Sequence, residues 1–177
     1  LVFIDLDNFK VLNDTLGHHM GDALLQQVAT RLIDCVRSVD TVARLGGDEF
    51  VVMLQDLAVS GPEATERAEA VGKKILRTLN LQYELGGQIF HSSPSMGITL
   101  FHDELQDVDE LLQRADLAMY QAKSAGRNTL RFFDPGMQGA LRARAVMEVE
   151  LRVALQRQEF LLYYQPVVDV NRVIVGV

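Results

Sequence analysis

Two acidic pairs in this chain have the spacing to hold a metal-bound phosphate. Asp5 and Asp7 end the apolar run Leu1-Val2-Phe3-Ile4, and Asp48-Glu49 follow a glycine pair in Leu45-Gly46-Gly47-Asp48-Glu49-Phe50. Strand side chains alternate, so Asp5 and Asp7 point to one side. Oxygen ligands, octahedral preference and attached phosphates favour magnesium there. The glycine pair permits the positive φ angles of a tight turn between the strand-like runs Thr41–Leu45 and Phe50–Leu54. It also leaves the backbone bare, so a phosphate can approach. Each pair has a plainer role too: a solvated hairpin tip, and Asp7 capping a short helix with Asp5 in solvent.

Other polar residues extend the pattern. An Asn amide and an Asp carboxylate, Asn13 and Asp22, can read the edge of a purine. Asp22 also suits the N-cap of a helix starting after Gly21. Asp116, Tyr120 and Lys123 share a helix face, with Arg127 just past its end. A Lys and an Arg there could neutralise terminal phosphates, or simply form a solvated face.

Periodicity supplies the elements that must position these groups. Residues 1–4 read as a buried strand and 18–37 as a helix with an apolar face. Ser60-Gly61-Pro62-Glu63 has capping-box spacing before a helix bearing Ala64, Ala68, Val71, Ile75 and Leu79. Residues 88–101 read as one strand entered through Gly86-Gly87, and Pro94 suggests an edge or a bulge. Asp107 can cap a helix that Gly126 stops, and Thr129–Phe133 reads as a last strand. The order β-α-β-β-α-β-α-β implies an α+β fold, a ferredoxin-like, mostly antiparallel central sheet flanked by helices. Residues 1–134 form this domain, 135–158 a linker helix, and 159–177 a hairpin with strands at Glu159–Val168 and Arg172–Val177.

Composition narrows the classes. With 177 residues, 48% hydrophobic and 23% charged, the chain is an ordinary globular type. A net charge of −7 argues against bulk nucleic-acid binding. No stretch approaches the ~18 apolar residues of a membrane span. The one cysteine, Cys35, suits a reducing, cytoplasmic compartment. The start inside an apolar run and the strand-like end suggest a fragment of a longer protein.

Several motifs in one register closely resemble the GGDEF domains of bacterial diguanylate cyclases. They are Phe3-Ile4-Asp5-Leu6-Asp7-Asn8-Phe9-Lys10, Asn13-Asp14, Gly17-His18, Gly21-Asp22, Arg44 to Phe50, Ser95-Met96-Gly97-Ile98 and Ala115 to Asn128. The resemblance implies an enzyme that condenses two GTP into cyclic di-GMP, with loss of pyrophosphate, at a homodimer interface. It makes Asp5, Asp48 and the Leu6 carbonyl ligands of magnesium or manganese, and places Glu49 near the reacting hydroxyl. It assigns Asn13 and Asp22 to guanine, Phe9 to the substrate pocket, and Lys123 and Arg127 to the β- and γ-phosphates. Gly46 and Gly47 would let the backbone lie against the α-phosphate. Arg37 and Asp40, an Arg-x-x-Asp before the glycines, match the family's inhibitory product site, or are simply a helix-end Arg beside a turn Asp.

The tail, Leu151 to Phe160, Leu162 to Asp169 and Val175-Gly176-Val177, resembles the opening of an EAL domain, a cyclic di-GMP phosphodiesterase. The signature Glu-Ala-Leu lies beyond Val177, so no phosphodiesterase site is expected in these residues. The family segment that precedes the first strand is also absent. A GTP-binding module that regulates an EAL neighbour without cyclising, or a cyclic di-GMP receptor, are the alternatives.

Overall fold

A computed structural model describes residues 1–58, 60–102 and 107–176. Two compact units emerge, Leu1–Met137 and Gln138–Val177. The first runs β1 (Val2–Leu6), α1 (Phe9–Leu16), α2 (His18–Cys35), β2 (Thr41–Gly46), β3 (Glu49–Met53), α3 (Gly61–Leu79), β4 (Tyr83–Leu85), β5 (Gln88–Phe90), β6 (Pro94–Ile98), α4 (Val108–Ser124) and β7 (Leu130–Phe132). Five strands form one sheet in the order β2-β3-β1-β6-β7. Every pairing is antiparallel except β6–β7, which α4 connects as a parallel crossover. The α+β class holds, and the sheet is mixed rather than wholly antiparallel.

Strand alternation builds a core on each face. Val2, Ile4 and Leu6 join Leu24, Val28 and Leu32 of α2 and Ile75 and Leu79 of α3. Phe3 and Val51 point the other way and meet Ala115 and Met119 of α4. Each fully buried aliphatic side chain contributes roughly 1.5–3 kcal/mol of transfer free energy. α4 lies unusually close to the sheet, because Gly97 has no side chain. A Cβ there would fall 1.9 Å from the Ala115 carbonyl oxygen and 2.3 Å from the Met119 nitrogen.

Long side chains fasten the periphery. The Arg31 guanidinium donates to the carbonyls of Thr78 (3.3 Å), Leu81 (2.7 Å) and Gln82 (2.6 Å) and stacks 3.7 Å over the Tyr83 ring. Lys74 donates to the Asp34 and Cys35 carbonyls at the C-terminus of α2, where a cation complements the helix dipole.

Several local expectations need correction. Residues 88–101 are not one strand. Gly86 and Gly87 turn a separate hairpin, β4–β5, and β6 starts at Pro94. Pro94 is on an interior strand, not an edge. Antiparallel backbones alternate the side to which they bond. Met96 N–H bonds toward β7 and Thr99 N–H toward β1, so the missing donor of Pro94 faces β7, whose pairing begins only at Met96. Ser60 does precede α3, but its side chain makes no capping bond, and Glu63 pairs with Arg67 instead. Asp107 does cap α4, accepting from Asp109 N–H at 3.1 Å.

The second unit holds most of α5 (Gly136–Gln156) and an antiparallel pair, β8 (Val167–Val168) and β9 (Ile174–Gly176). The strand expected from Glu159 shrinks to two residues. An isolated hairpin is marginal without a face to pack on, and Leu161, Leu162 and Tyr163 are largely exposed.

Candidate active site

The acids gather at the C-terminal end of β1. Asp5 is 7% exposed, not solvated, and its carboxylate meets the Lys123 ammonium of α4 at 2.7 Å. Burial raises the Asp5 pKa above the ordinary carboxylate value. The Lys123 hydrogen bond opposes this, the negative charge of Asp48 adds to it, and Asp7 adds a smaller push. Asp5 pairs with Glu49 across the β1–β3 ladder, so these two side chains share a face. The site therefore crowds negative charge around one buried carboxylate, with a single lysine seated on it.

The register also orients Leu6. Leu1 and Asp7 bond toward β6, so even-numbered residues of β1 bond toward β3. The ladder with β3 ends at Asp5–Glu49, which leaves the Leu6 carbonyl facing the β2–β3 bend just past the last pair. Among the described residues, no cluster of three or more His, Cys, Asp or Glu could hold a metal. The expected donor set is smaller, two carboxylates and a carbonyl. Such a set fits magnesium, which keeps waters and takes phosphate oxygens. A cationic ammonium already seated on Asp5 shows that the position accepts positive charge.

The bend itself uses only one glycine for its conformation. Gly47 has φ +50, whereas Gly46 ends β2 outside the left-handed region, opposite Glu49. Leu45 is the extra residue where the register shifts between Arg44 and Gly46. Arg44 grips the bend, donating from Nε (3.0 Å) and Nη2 (2.8 Å) to the Gly47 carbonyl. No atom lies within 4 Å of a Cβ added at Gly46 or Gly47. Neither backbone nor neighbours require glycine at 46, and the open space above it is what a closely approaching ligand group needs.

Asn13 and Asp22 sit on adjoining helices. Asn13 occupies α1, and its buried Oδ1 has no hydrogen-bond partner among the described residues. That oxygen abuts Gly21, where a Cβ would lie only 2.0 Å away, so the Asn13 side chain reaches the residue next to Asp22. Asp22 is not an N-cap. α2 starts at His18 with Gly17 at its cap, and Asp22 is an exposed residue inside it. Phe9 is buried at the start of α1, whose N-cap Asn8 makes no side-chain bond and whose first turn holds no acid. That helix end keeps its partial positive charge.

Asp7 overturns its expected capping role, and its partners are what sequence reasoning missed. It is 6% exposed and accepts from Ser93 Oγ (2.6 Å), Ser95 Oγ (2.7 Å) and Asn128 N–H (3.1 Å). The nearest of these partners is 86 residues away in sequence, so only the fold reveals them.

On α4, Lys123 faces Asp5 and Asp116 carries a burial-raised pKa that Lys123 partly offsets. α4 ends in a Schellman motif: Gly126 (φ +111) donates to Lys123 O, and Arg127 N–H to Ala122 O. Arg127 follows, exposed, with a guanidinium that makes no hydrogen bond or ion pair among the described residues. Arg37 and Asp40 lie away from these groups in sequence, at the α2–β2 connection. Asp40 accepts from Arg37 N–H (2.9 Å) and Gln55 N–H (3.1 Å), and its side chain is nearly fully buried while Arg37 is half exposed.

A mixed five-stranded sheet with helices on both faces, and acids at a strand end beside a glycine bend, define a nucleotidyl-cyclase-type α+β domain. The family described as "Diguanylate cyclase, GGDEF domain" matches residues 1–129, and the chain belongs to it. It is 40% identical over its whole length to the bifunctional diguanylate cyclase/cyclic di-GMP phosphodiesterase MucR of Pseudomonas aeruginosa, of which it covers 25%. It is 36% identical, over 94% of its length, to the cyclic di-GMP phosphodiesterase NbdA of the same species, covering 21% of that protein. A solved GGDEF domain of YfiN from P. aeruginosa superposes with a TM-score of 0.72 at 36% identity, covering 80% of each chain. The chain thus spans a quarter or less of the curated relatives named here.

Proposed function

We propose that this chain is the cyclase module of a longer signalling protein and takes part in joining two GTP molecules into cyclic di-GMP with release of two pyrophosphates. The observation that carries the reading is the buried Asp5 carboxylate, crowded by Asp48 and held by the Lys123 ammonium beside an open glycine bend.

Each residue has a part in this reading. Asn13 and Asp22 select guanine. The bare backbone of Gly46-Gly47 lies against the α-phosphate. Lys123 leaves Asp5 for the β- and γ-phosphates, where Arg127 joins it. The uncapped start of α1 at Phe9 favours the same negative charge. Asp5, Asp48 and the Leu6 carbonyl would hold magnesium or manganese, which when bound supplies charge neutralisation and eases ionisation of the attacking hydroxyl. Glu49, on the face of Asp5, stands near that hydroxyl. One domain presents one nucleotide, and each ribose 3′-oxygen must attack the α-phosphate of the other in line. The reaction therefore needs two copies face to face. Arg37, half exposed and ion-paired with Asp40, would contact the cyclic product at a separate inhibitory site, with Asp40 fixing the turn that presents it.

Residues 159–177 are, in the same reading, the opening of an EAL domain that continues in the parent protein, with 135–158 as the linker. Likeness to a relative named as a phosphodiesterase favours one alternative, a GTP-binding regulator of that neighbour. Incubation with GTP and magnesium, followed by mass analysis of the nucleotides, separates the two. Cyclic di-GMP that vanishes in Asp48→Ala supports the cyclase. GTP binding without turnover, with the preceding segment of the parent chain restored, refutes cyclisation and leaves the regulator.

A further inference from the structure

We propose that Asp7 is a positioning residue that sets the direction of Arg127 and so gives the site its preference for a triphosphate. The inference rests on the reading that Arg127 meets the terminal phosphates.

Three consecutive residues after α4 have left-handed backbones: Gly126 (φ +111), Arg127 (φ +65) and Asn128 (φ +48). Glycine adopts this conformation freely and Asn tolerates it, but Arg does so only when its surroundings enforce it. Asn128 is enforced twice. Its N–H donates to Asp7 Oδ2 at 3.1 Å, and its side-chain oxygen accepts from Asn80 Nδ2 at 2.7 Å. Asp7 is in turn fixed by the Ser93 and Ser95 hydroxyls. Because the Arg127 guanidinium has no partner of its own among the described residues, the backbone at 126–128 sets the direction in which its side chain leaves the chain. Released from Asp7, Arg127 relaxes toward negative φ, a rotation large enough to swing its side chain away. Both Asp7 oxygens are engaged by Ser93, Ser95 and the Asn128 N–H, so it acts through the turn.

The test compares binding of 3′-deoxy-GTP, which cannot condense, with binding of GMP, by calorimetry with magnesium present. The proteins are the chain, Asp7→Ala, Asp7→Asn, Arg127→Ala and Asp7→Ala/Arg127→Ala. Loss of one charge-assisted phosphate contact corresponds to about a tenfold loss of affinity. Asp7→Ala is expected to lower the triphosphate-to-monophosphate affinity ratio about as much as Arg127→Ala, and to add nothing to the double variant. Asp7→Asn keeps an oxygen for the Asn128 N–H and is expected to restore the ratio. Should Asp7→Ala not fold, Asn80→Ala loosens the same turn from its other side and must lower the ratio; an unchanged ratio there overturns the proposal. Equal weakening of both nucleotides, an effect that persists without Arg127, or failure of Asp7→Asn to rescue also overturns it. An unaltered ratio in Arg127→Ala defeats the underlying reading of Arg127 instead, and the proposal with it.

Discussion

Replacing Gly97 with alanine tests whether the closeness of α4 to the sheet governs the site. The added methyl would lie 1.9 Å from the Ala115 carbonyl oxygen and 2.3 Å from the Met119 nitrogen, where ordinary contact begins at 3.4 Å. Both obstacles are backbone atoms, so no rotamer change relieves them. α4 must move outward by about 1.5 Å, the difference between 3.4 Å and 1.9 Å. Overpacking of this kind costs about 1–3 kcal/mol. Lys123 lies one turn beyond Met119, so the shift also breaks its 2.7 Å contact with Asp5 and displaces the cation proposed above to meet the phosphates. A misplacement of about 1 Å can lower a rate by about 100-fold. Urea unfolding measures the first effect. The initial rate of cyclic di-GMP formation, at a temperature where both proteins are folded, measures the second. Stability within about 0.5 kcal/mol of the parent, together with an unchanged rate, would refute the claim that Gly97 sets this distance.

Gly46→Ala should behave in the opposite way. Its methyl meets nothing within 4 Å and its backbone is not left-handed, so unfolding should be unaltered while GTP affinity or turnover falls; an active variant would remove the argument for phosphate approach. Asp5→Asn tests the raised pKa. The native carboxyl holds its proton more tightly than the unfolded one, so its contribution to stability is full at low pH and is lost as pH rises through the folded pKa. The Asn variant should therefore be the more stable protein at pH 7 and lose that advantage toward pH 4, though inactive; urea midpoints that show it weaker at pH 7 would contradict the crowding described. Arg31→Met should cost about 1–3 kcal/mol through its carbonyl bonds and ring contact. Thermal melting measures that loss, and nucleotide affinity below the transition should not move, because β4 and α3 are what Arg31 ties down.

What the sequence revealed followed from interactions close along the chain. The apolar period of α2, the Asp107 cap and the glycine bend depend on neighbours within a few positions, and they were readable. Boundaries that depend on tertiary partners were not. Asp22 has the right residue type for an N-cap, yet it lies inside α2, which begins at His18 as its apolar period predicts. Pro94 suggested an edge because its missing donor is visible in sequence, whereas the side that donor would face depends on strand register. Asp5 and Asp7 were expected to point the same way, and the plainer reading gave Asp7 a local cap and left Asp5 in solvent. Their distinct partners, a lysine on α4 for one and two serines with a turn N–H for the other, come from segments about a hundred residues away and no local pattern encodes them.

The sheet order has a corollary. β1 is bonded on both sides, so the acid it presents is anchored in the middle of the sheet, whereas Gly47-Asp48 lie in the bend that joins β3 to the edge strand β2. Substitution at that bend would therefore leave the folded body, with Asn13 on α1 and Asp22 on α2, intact, and under the function proposed above such a variant keeps nucleotide binding while losing synthesis.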